Sequence, residues 1–95
     1  MEWSLGQLVI SKQGRDNQTC YVVTGLTDRC CFVADGRKTS FSAPKKKNKK
    51  HLQGTYKVSA AIARDIEEKG ALRDEDIRDF LNHCKKPGKE EVPNG

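Results

Sequence analysis

Apolar and β-branched residues recur in short runs over the first half of the chain, and this pattern predicts β-strands. The runs are separated by Gly, Asn and Asp, which are typical of turns. The Asp35-Gly36 pair favours a hairpin turn, with Phe41 facing inward from the strand that returns after it. The predicted strands cover residues 6–11, 19–24, 30–34, 37–42 and 50–53. Short strands at this spacing predict a small β-barrel.

After Gly54 the spacing of apolar residues changes from two to about 3.6, which predicts helices. A first helix is expected over about residues 59–69, ending at Gly70, because glycine is common just beyond helix C-termini. Its apolar face is expected to carry Val58, Ala61, Ile62 and Ile66.

A second helix is predicted from apolar residues spaced three and four apart, which form one stripe that can pack on the barrel or on the first helix. Carboxylates at residues 74–76 would lie in its first turn and complement the helix dipole, and Lys85 and Lys86 would lie at its other end. The stripe consists of Ile77, Phe80, Leu81 and Cys84.

The predicted fold is therefore mainly β with C-terminal helices. We expect a barrel with a basic loop over residues 1–54, a helical extension packed on it over 55–84, and a flexible tail over 85–95. Trp3 and Tyr56 could be stacking platforms, but in a chain with six aromatic residues they are expected to pack in the core or at its rim.

The composition fits one small domain without a deep catalytic cleft, because the chain has 95 residues of which 35% are hydrophobic. The N-terminus has no basic stretch followed by an apolar run, and no apolar run is long enough to span a membrane. The four cysteines are therefore expected to be reduced thiols, and the protein is expected in the cytoplasm.

Charge is distributed unevenly along the chain, whose net charge is +5. Residues 36–64 include nine basic residues and no acid, whereas residues 65–84 include seven acids. This separation of basic and acidic residues favours an anionic partner for the basic segment, residues 36–64.

The densest basic segment is Pro44–Lys50, in which five of seven residues are lysines. A run of this kind is either a solvated loop or a surface for a polyanion, and the absence of acids around it favours the surface. Asn48 can donate and accept hydrogen bonds and His51 can stack on a base. Alternatively, Asn48 is a turn residue and His51 packs on the end of the barrel.

Arg15 lies beside Lys12 in a predicted turn, where its planar guanidinium could grip a phosphate with two hydrogen bonds or stack on a base. The alternative is an exposed ion pair with Asp16 or Asp28, which would be weak.

Four segments together carry a resemblance to a known family. In order they read "GQLVISKQGRD", "YVVTGL", "FVADGR" and "PKKKNKKHL". Over residues 6–52 the chain resembles bacterial KOW-domain RNA-binding proteins, small relatives of KOW-containing large-subunit ribosomal proteins. The resemblance implies an SH3-like barrel that binds RNA. One position departs from it, because Gln18 stands where such proteins have a second loop glycine.

Residues and resemblance together predict an RNA-binding module, associated with ribosomal RNA or the ribosome, which needs no cofactor and is a monomer when free. The alternative is a protein-interaction module of the translation or transcription machinery, in which the acidic helices dock on a protein. The predicted RNA-binding residues are Lys12, Gly14, Arg15, Asp16, Arg37, Lys38, Lys45, Lys46, Lys47, Asn48, Lys49, Lys50 and His51.

Metal binding and catalysis are disfavoured by spacing. No Cys-x2-Cys pair is present, and adjacent residues such as Cys30 and Cys31 point to opposite faces of a strand. His83 and Cys84 are neighbours on the predicted second helix and diverge, so no nucleophile and base are paired. The chain is therefore not expected to be an enzyme.

Overall fold

The computed structural model describes residues 2–15 and 17–85. Within these residues the strands come first and the helices follow, and a 3₁₀ turn, Lys49–His51, lies between the last two strands. The elements are β1 (Gln7–Ser11), β2 (Cys20–Leu26), β3 (Cys30–Ala34), β4 (Lys45–Asn48), β5 (Leu52–Val58), α1 (Ala60–Lys69) and α2 (Asp74–Lys85). The prediction of a mainly β fold followed by two helices is confirmed.

The strands form one antiparallel five-stranded sheet in the order β4-β3-β2-β1-β5. Strands β1 to β4 run as a meander, and β5 returns to pair with β1, so β4 and β5 are the two edges. Val9 lies opposite Tyr21, and Val23 lies opposite Val33. Because paired residues and alternate residues share a face, these four side chains lie on the same side of the sheet.

Apolar side chains cover both faces of the sheet. On the face toward the helices, which we call the helix face, sheet residues Leu8, Val22 and Ala34 form one buried cluster with helix residues Ile62, Ile77 and Leu81. The opposite face carries a second cluster, against which Trp3 and Leu5 pack. Its buried members are Val9, Tyr21, Val23, Cys31, Val33 and Leu52.

Helix α1 begins and ends where the sequence predicts. The hydroxyl of Ser59 accepts the Ile62 N–H at 3.1 Å, and Gly70, in the left-handed conformation, donates its N–H to the Ile66 carbonyl at 2.9 Å. Val58, however, is not on the helix face. It ends β5 opposite Gln7 and is 47% exposed, so its assignment to the helical stripe is wrong.

Helix α2 docks on the sheet through the predicted stripe. Ile77 is fully buried and Leu81 is 4% exposed, while Phe80 and Cys84 pack at the edge of the same cluster. The acids at 74–76 occupy the first turn, as predicted. Lys86 and most of the predicted tail lie outside the described residues.

The fourth predicted strand is wrong, because residues 37–42 form turns and bends. Local hydrogen bonds take the N–H groups that a strand would need: one carboxylate oxygen of Asp35 accepts from Arg37 at 2.9 Å and from Thr39 at 3.0 Å. Phe41 nevertheless packs against the cluster on the helix face, as predicted. β5 starts at Leu52 and continues across the expected boundary between residues 54 and 55. Within the part of the chain described, no helix is long and apolar enough to cross a bilayer.

Candidate anion-binding surface

The centre of the lysine run is a β-strand, so the expectation of a basic loop is wrong for residues 45–48. In the ladder with β3, Lys47 lies opposite Cys31 and Lys45 lies opposite Val33. Cys31 and Val33 are buried on the opposite face, so Lys45 and Lys47 project to that side. Lys46 and Asn48 project to the other side of the strand.

Contacts with the strands beneath orient these two lysines. The ammonium group of Lys47 reaches across the sheet to the hydroxyl of Ser11 on β1, at 3.3 Å, and Ser11 is fully buried. The Lys45 Nζ lies 5.9 Å from the centre of the Tyr21 ring, within the range of a cation–π contact. Both charges are therefore directed over the end of the apolar cluster on the opposite face.

The two lysines border a depression of about 480 Å³, which we call the basic depression. It collects four cationic side chains from three separate segments of the chain. Arg15 comes from the β1–β2 loop, Lys38 from the β3–β4 connection, and Lys45 and Lys47 from β4. The lining residues are Gly14, Arg15, Thr19, Tyr21, Asp35, Lys38, Thr39, Lys45 and Lys47. Four cations around one concave surface favour an anionic ligand.

The β1–β2 loop that carries Arg15 is shaped by two residues with positive φ. Gly14 has φ of +85°, and Gln18 has φ of +75°. The N–H of Gln18 donates to the Ser11 carbonyl at 2.7 Å and closes the loop. Gln18 thus adopts the backbone conformation that glycine favours. Asp16 lies outside the described residues.

The end of the lysine run belongs to a second depression of about 510 Å³, lined by Asp28, Arg29, Asn48, Lys49 and Lys50. Asn48 accepts the Lys50 N–H at 2.9 Å and caps the 3₁₀ turn, so its predicted alternative role as a turn residue is confirmed. Lys49 Nζ donates to the Asp28 carbonyl at 3.1 Å. The lysine run is therefore divided between two surfaces.

Among the residues that the structure describes, the remaining predicted ones do not line the basic depression. Lys12 and His51 are neighbours through the backbone, because the Lys12 N–H donates to the His51 carbonyl at 2.8 Å. The His51 side chain is exposed rather than packed, so its predicted packing on the barrel end is wrong. Arg37 is exposed in the β3–β4 connection, and Lys46 faces away from the depression.

Burial affects the pKa of two of the cysteine thiols. All four cysteines are free thiols. Burial raises the pKa of the Cys31 thiol, against the opposing effect of the positive charge on Lys49. Burial also raises the pKa of Cys84, with Lys57 acting in the opposite direction. Among the residues described, no three His, Cys, Asp or Glu side chains are grouped as a metal site would require.

Sequence reasoning missed several residues of these surfaces. Tyr21, Thr19 and Thr39 line the basic depression, and Arg29 lines the second one. The signal for Tyr21 was its position two residues before Val23 on a predicted strand, but its proximity to Lys45 depends on the order of the strands. Trp3 packs as expected, whereas Tyr56 is 91% exposed at a register shift between β1 and β5, so its assignment to the core or rim is wrong.

Comparison with known proteins adds no relative: no protein-family model and no curated protein matches the chain.

Proposed function

We propose that the protein is a KOW-type RNA-binding module with an SH3-like barrel and that it holds RNA phosphates in the basic depression. The observation that carries the proposal is the convergence of Arg15, Lys38, Lys45 and Lys47 from three segments on one concave surface. Lysines attract phosphates as point charges, and the guanidinium of Arg15 adds a planar donor group. Such a surface suits a polyanion better than a single small anion.

A purely structural role of the lysines is the main alternative. β4 is an edge strand, and lysines on edge strands oppose pairing with other chains. That role accounts for Lys46, which faces away from the depression. It does not account for Lys45 and Lys47, which lie on the same face of the sheet as Tyr21 and are joined there by two further cations.

The fold supports the proposal in a general way. A four-stranded meander whose fifth strand returns to the first is compatible with a small barrel. The resemblance over residues 6–52 supports the narrower part: ribosomal RNA or the ribosome as the partner, a cytoplasmic protein of translation, and no catalytic activity.

RNA binding by the basic depression is tested with two variants of equal charge. Lys45→Gln/Lys47→Gln removes two lysines from the depression, whereas Lys46→Gln/Lys57→Gln removes two exposed lysines outside it. Fluorescence anisotropy with single-stranded and structured RNAs across a salt series reports affinity and salt dependence. We expect the first variant to bind many RNAs more weakly and to lower the salt slope by about 0.7 for each phosphate that is no longer neutralised.

The control variant should lower affinity much less, because its lysines add only to the net charge. Equal losses in both variants would mean that RNA responds to total charge and would contradict a site in the depression. Binding by the wild type no stronger than that of a lysine-rich peptide of the same charge would reject RNA binding altogether.

One observation favours protein docking as a second candidate function. Tyr56 and Val58 expose apolar side chains on the edge strand β5, and they line a depression with Glu2 and Ser4. Exposed aromatic residues are common in protein interfaces. If this strand docks on a ribosomal or other protein, Tyr56→Ala should weaken binding to intact ribosomes without changing affinity for protein-free RNA.

A further inference from the structure

The connection between β3 and β4 supplies part of the lining of the basic depression. It carries Asp35, Lys38 and Thr39, all of which line the depression. Asp35 shapes its first turn, because its carboxylate accepts two backbone N–H groups and the N–H groups of Asp35 and Gly36 donate to the Thr39 carbonyl. This local network fixes the turn but does not fix where the turn lies on the sheet.

Helix α2 holds the same connection from outside. Nη1 of Arg78 donates to the Gly36 carbonyl at 2.7 Å. One carboxylate oxygen of Asp74 accepts the Phe41 N–H at 2.8 Å. The two bonds lie one helical turn apart on α2 and hold both ends of the turn that contains Lys38 and Thr39.

The contact at Gly36 is close enough to exclude any side chain. Gly36 is buried with φ of +77°, and a Cβ atom there would lie 2.6 Å from the Asp74 carbonyl oxygen and 2.9 Å from Cγ of Arg78. The N-terminal turn of α2 is thus packed directly on the connection. A shift of the helix would displace the turn with it.

We propose that Asp74 and Arg78 are positioning residues for the basic depression, acting through the β3–β4 connection on Lys38. This inference rests on the proposed function of that depression. A lysine on a fixed turn loses less conformational freedom when it binds a phosphate than one on a mobile turn. Arg78, a basic residue in an acidic helix, therefore contributes to RNA binding from behind the site, through its bond to Gly36.

Asp74 offers the sharpest test, because Asp74→Ala and Asp74→Asn remove the same negative charge. Asparagine keeps a side-chain oxygen that can accept the Phe41 N–H, whereas alanine does not. Simple electrostatics predicts that both variants bind RNA more tightly than the wild type. Positioning predicts that Asp74→Ala loses affinity by roughly two- to tenfold, the ordering cost of one long side chain, and that Asp74→Asn does not.

Arg78 supplies an independent test. Arg78→Met keeps the aliphatic stem and removes the donors, and Arg78→Lys restores a donor for the Gly36 carbonyl. The control is Arg73→Met, which removes the same charge from an exposed residue paired with Asp76 at 3.3 Å. We expect a loss of RNA affinity for Arg78→Met, partial recovery for Arg78→Lys, and a small change for Arg73→Met, all measured by anisotropy on proteins whose folding circular dichroism has verified.

Coupling to Lys38 separates positioning from direct contact. Lys38→Gln should weaken binding in the wild type and have little further effect in Arg78→Met, because the turn is then already misplaced. Additive losses, or equal affinities for Asp74→Ala and Asp74→Asn, would overturn the inference and leave the depression itself intact as an RNA site. Failure of the proposed function is recognised separately, by a Lys45→Gln/Lys47→Gln variant that binds RNA as the wild type does. If Arg78→Met does not fold, the Asp74 pair decides.

Discussion

Gln18 has a backbone conformation that glycine adopts at lower cost than a residue with a side chain. Its φ of +75° lies in the left-handed region, which costs a residue with a side chain roughly 1–2 kcal/mol. Gln18→Gly should relieve this strain in the folded protein. Part of the gain in stability is offset, because glycine has more conformational freedom in the unfolded chain. We expect the free energy of unfolding in urea to rise by about 0.5–1 kcal/mol, the part of the strain that remains after this offset.

The adjacent Asn17 provides the control, because Asn17→Gly adds the same freedom to the unfolded chain where no positive φ calls for glycine. That variant should be destabilised. A Gln18→Gly protein less stable than the wild type would contradict the strain argument and indicate a stabilising contact of the Gln18 side chain.

The buried Cys31 thiol makes stability depend on pH at the alkaline end. Because burial raises its pKa, the folded protein retains the proton more tightly than the unfolded chain. The corresponding stabilisation is complete below the ordinary thiol pKa of about 8.5 and is lost as the pH rises from there toward the raised pKa. Cys31→Ala should flatten this decline, measured as urea unfolding between neutral and alkaline pH in the presence of reductant. A decline of equal size in wild type and variant would assign it to other groups.

The sequence predicts individual site residues from their charge, but it does not predict on which side of the sheet they lie. Lys38, Lys45 and Lys47 are identifiable because they are basic and lie in a region without acids, whereas Arg15 is identifiable because it is basic and lies beside Lys12 in a predicted turn. Lys46 cannot be separated from Lys45 and Lys47 in this way, because the separation depends on the pairing of Lys45 with Val33 across the sheet. Tyr21 is missed for the same reason, since contacts between distant residues follow from strand order.

At the scale of elements, β4 shows where local pattern fails. Lysine and asparagine have little preference for strands, so their composition predicts a loop at residues 45–48, and the more β-like residues 37–42 are predicted as strand. Local hydrogen bonds and a tertiary contact decide otherwise. The Asp35 carboxylate and helix α2 take N–H groups of the connection, and β3 pairs instead with the lysines that follow. The helices are predicted well, because their caps and apolar spacing are local signals.

Docking of α2 on the sheet can be tested at Leu81, which is 4% exposed in the cluster on the helix face. Leu81→Asp places a charge there and should lower the free energy of unfolding by about 3 kcal/mol or more. The neighbouring Asn82 is exposed, so Asn82→Asp adds the same charge with little effect. Similar urea midpoints for the two variants would show that the helix is not held by this stripe.

Across the whole molecule, the acidic half of the chain has a structural use that the sequence only partly indicates. Asp74 bonds to the β3–β4 connection, Asp65 pairs with Lys69 at 3.6 Å, and Asp76 pairs with Arg73. The two ion pairs are exposed and contribute little to stability, whereas the Asp74 bond joins two distant segments. The separation of acidic and basic residues along the chain is thus connected to the fold, because the acidic helix α2 holds part of the basic depression in place.

The two apolar clusters share one sheet, and this arrangement predicts that the described residues unfold as a single unit. Leu8 and Val9 are neighbours on β1, yet one packs under the helices and the other packs with the cluster on the opposite face. Loss of the helices would expose one side of every central strand. The strands therefore should not remain folded without α1 and α2, and a chain ending at residue 58 should not fold.

Two spectroscopic probes report on the two clusters separately. The fluorescence of Trp3, the single tryptophan, follows the cluster on the opposite face, and far-ultraviolet circular dichroism in the helical band follows mainly the helices. We expect the two urea transitions to coincide, because neither cluster is stable without the shared sheet. Leu81→Asp should shift both transitions by the same amount, although residue 81 lies in the cluster without the tryptophan. A helical transition that precedes the fluorescence transition would show instead that the sheet folds independently, and the helices would then be a separable arm.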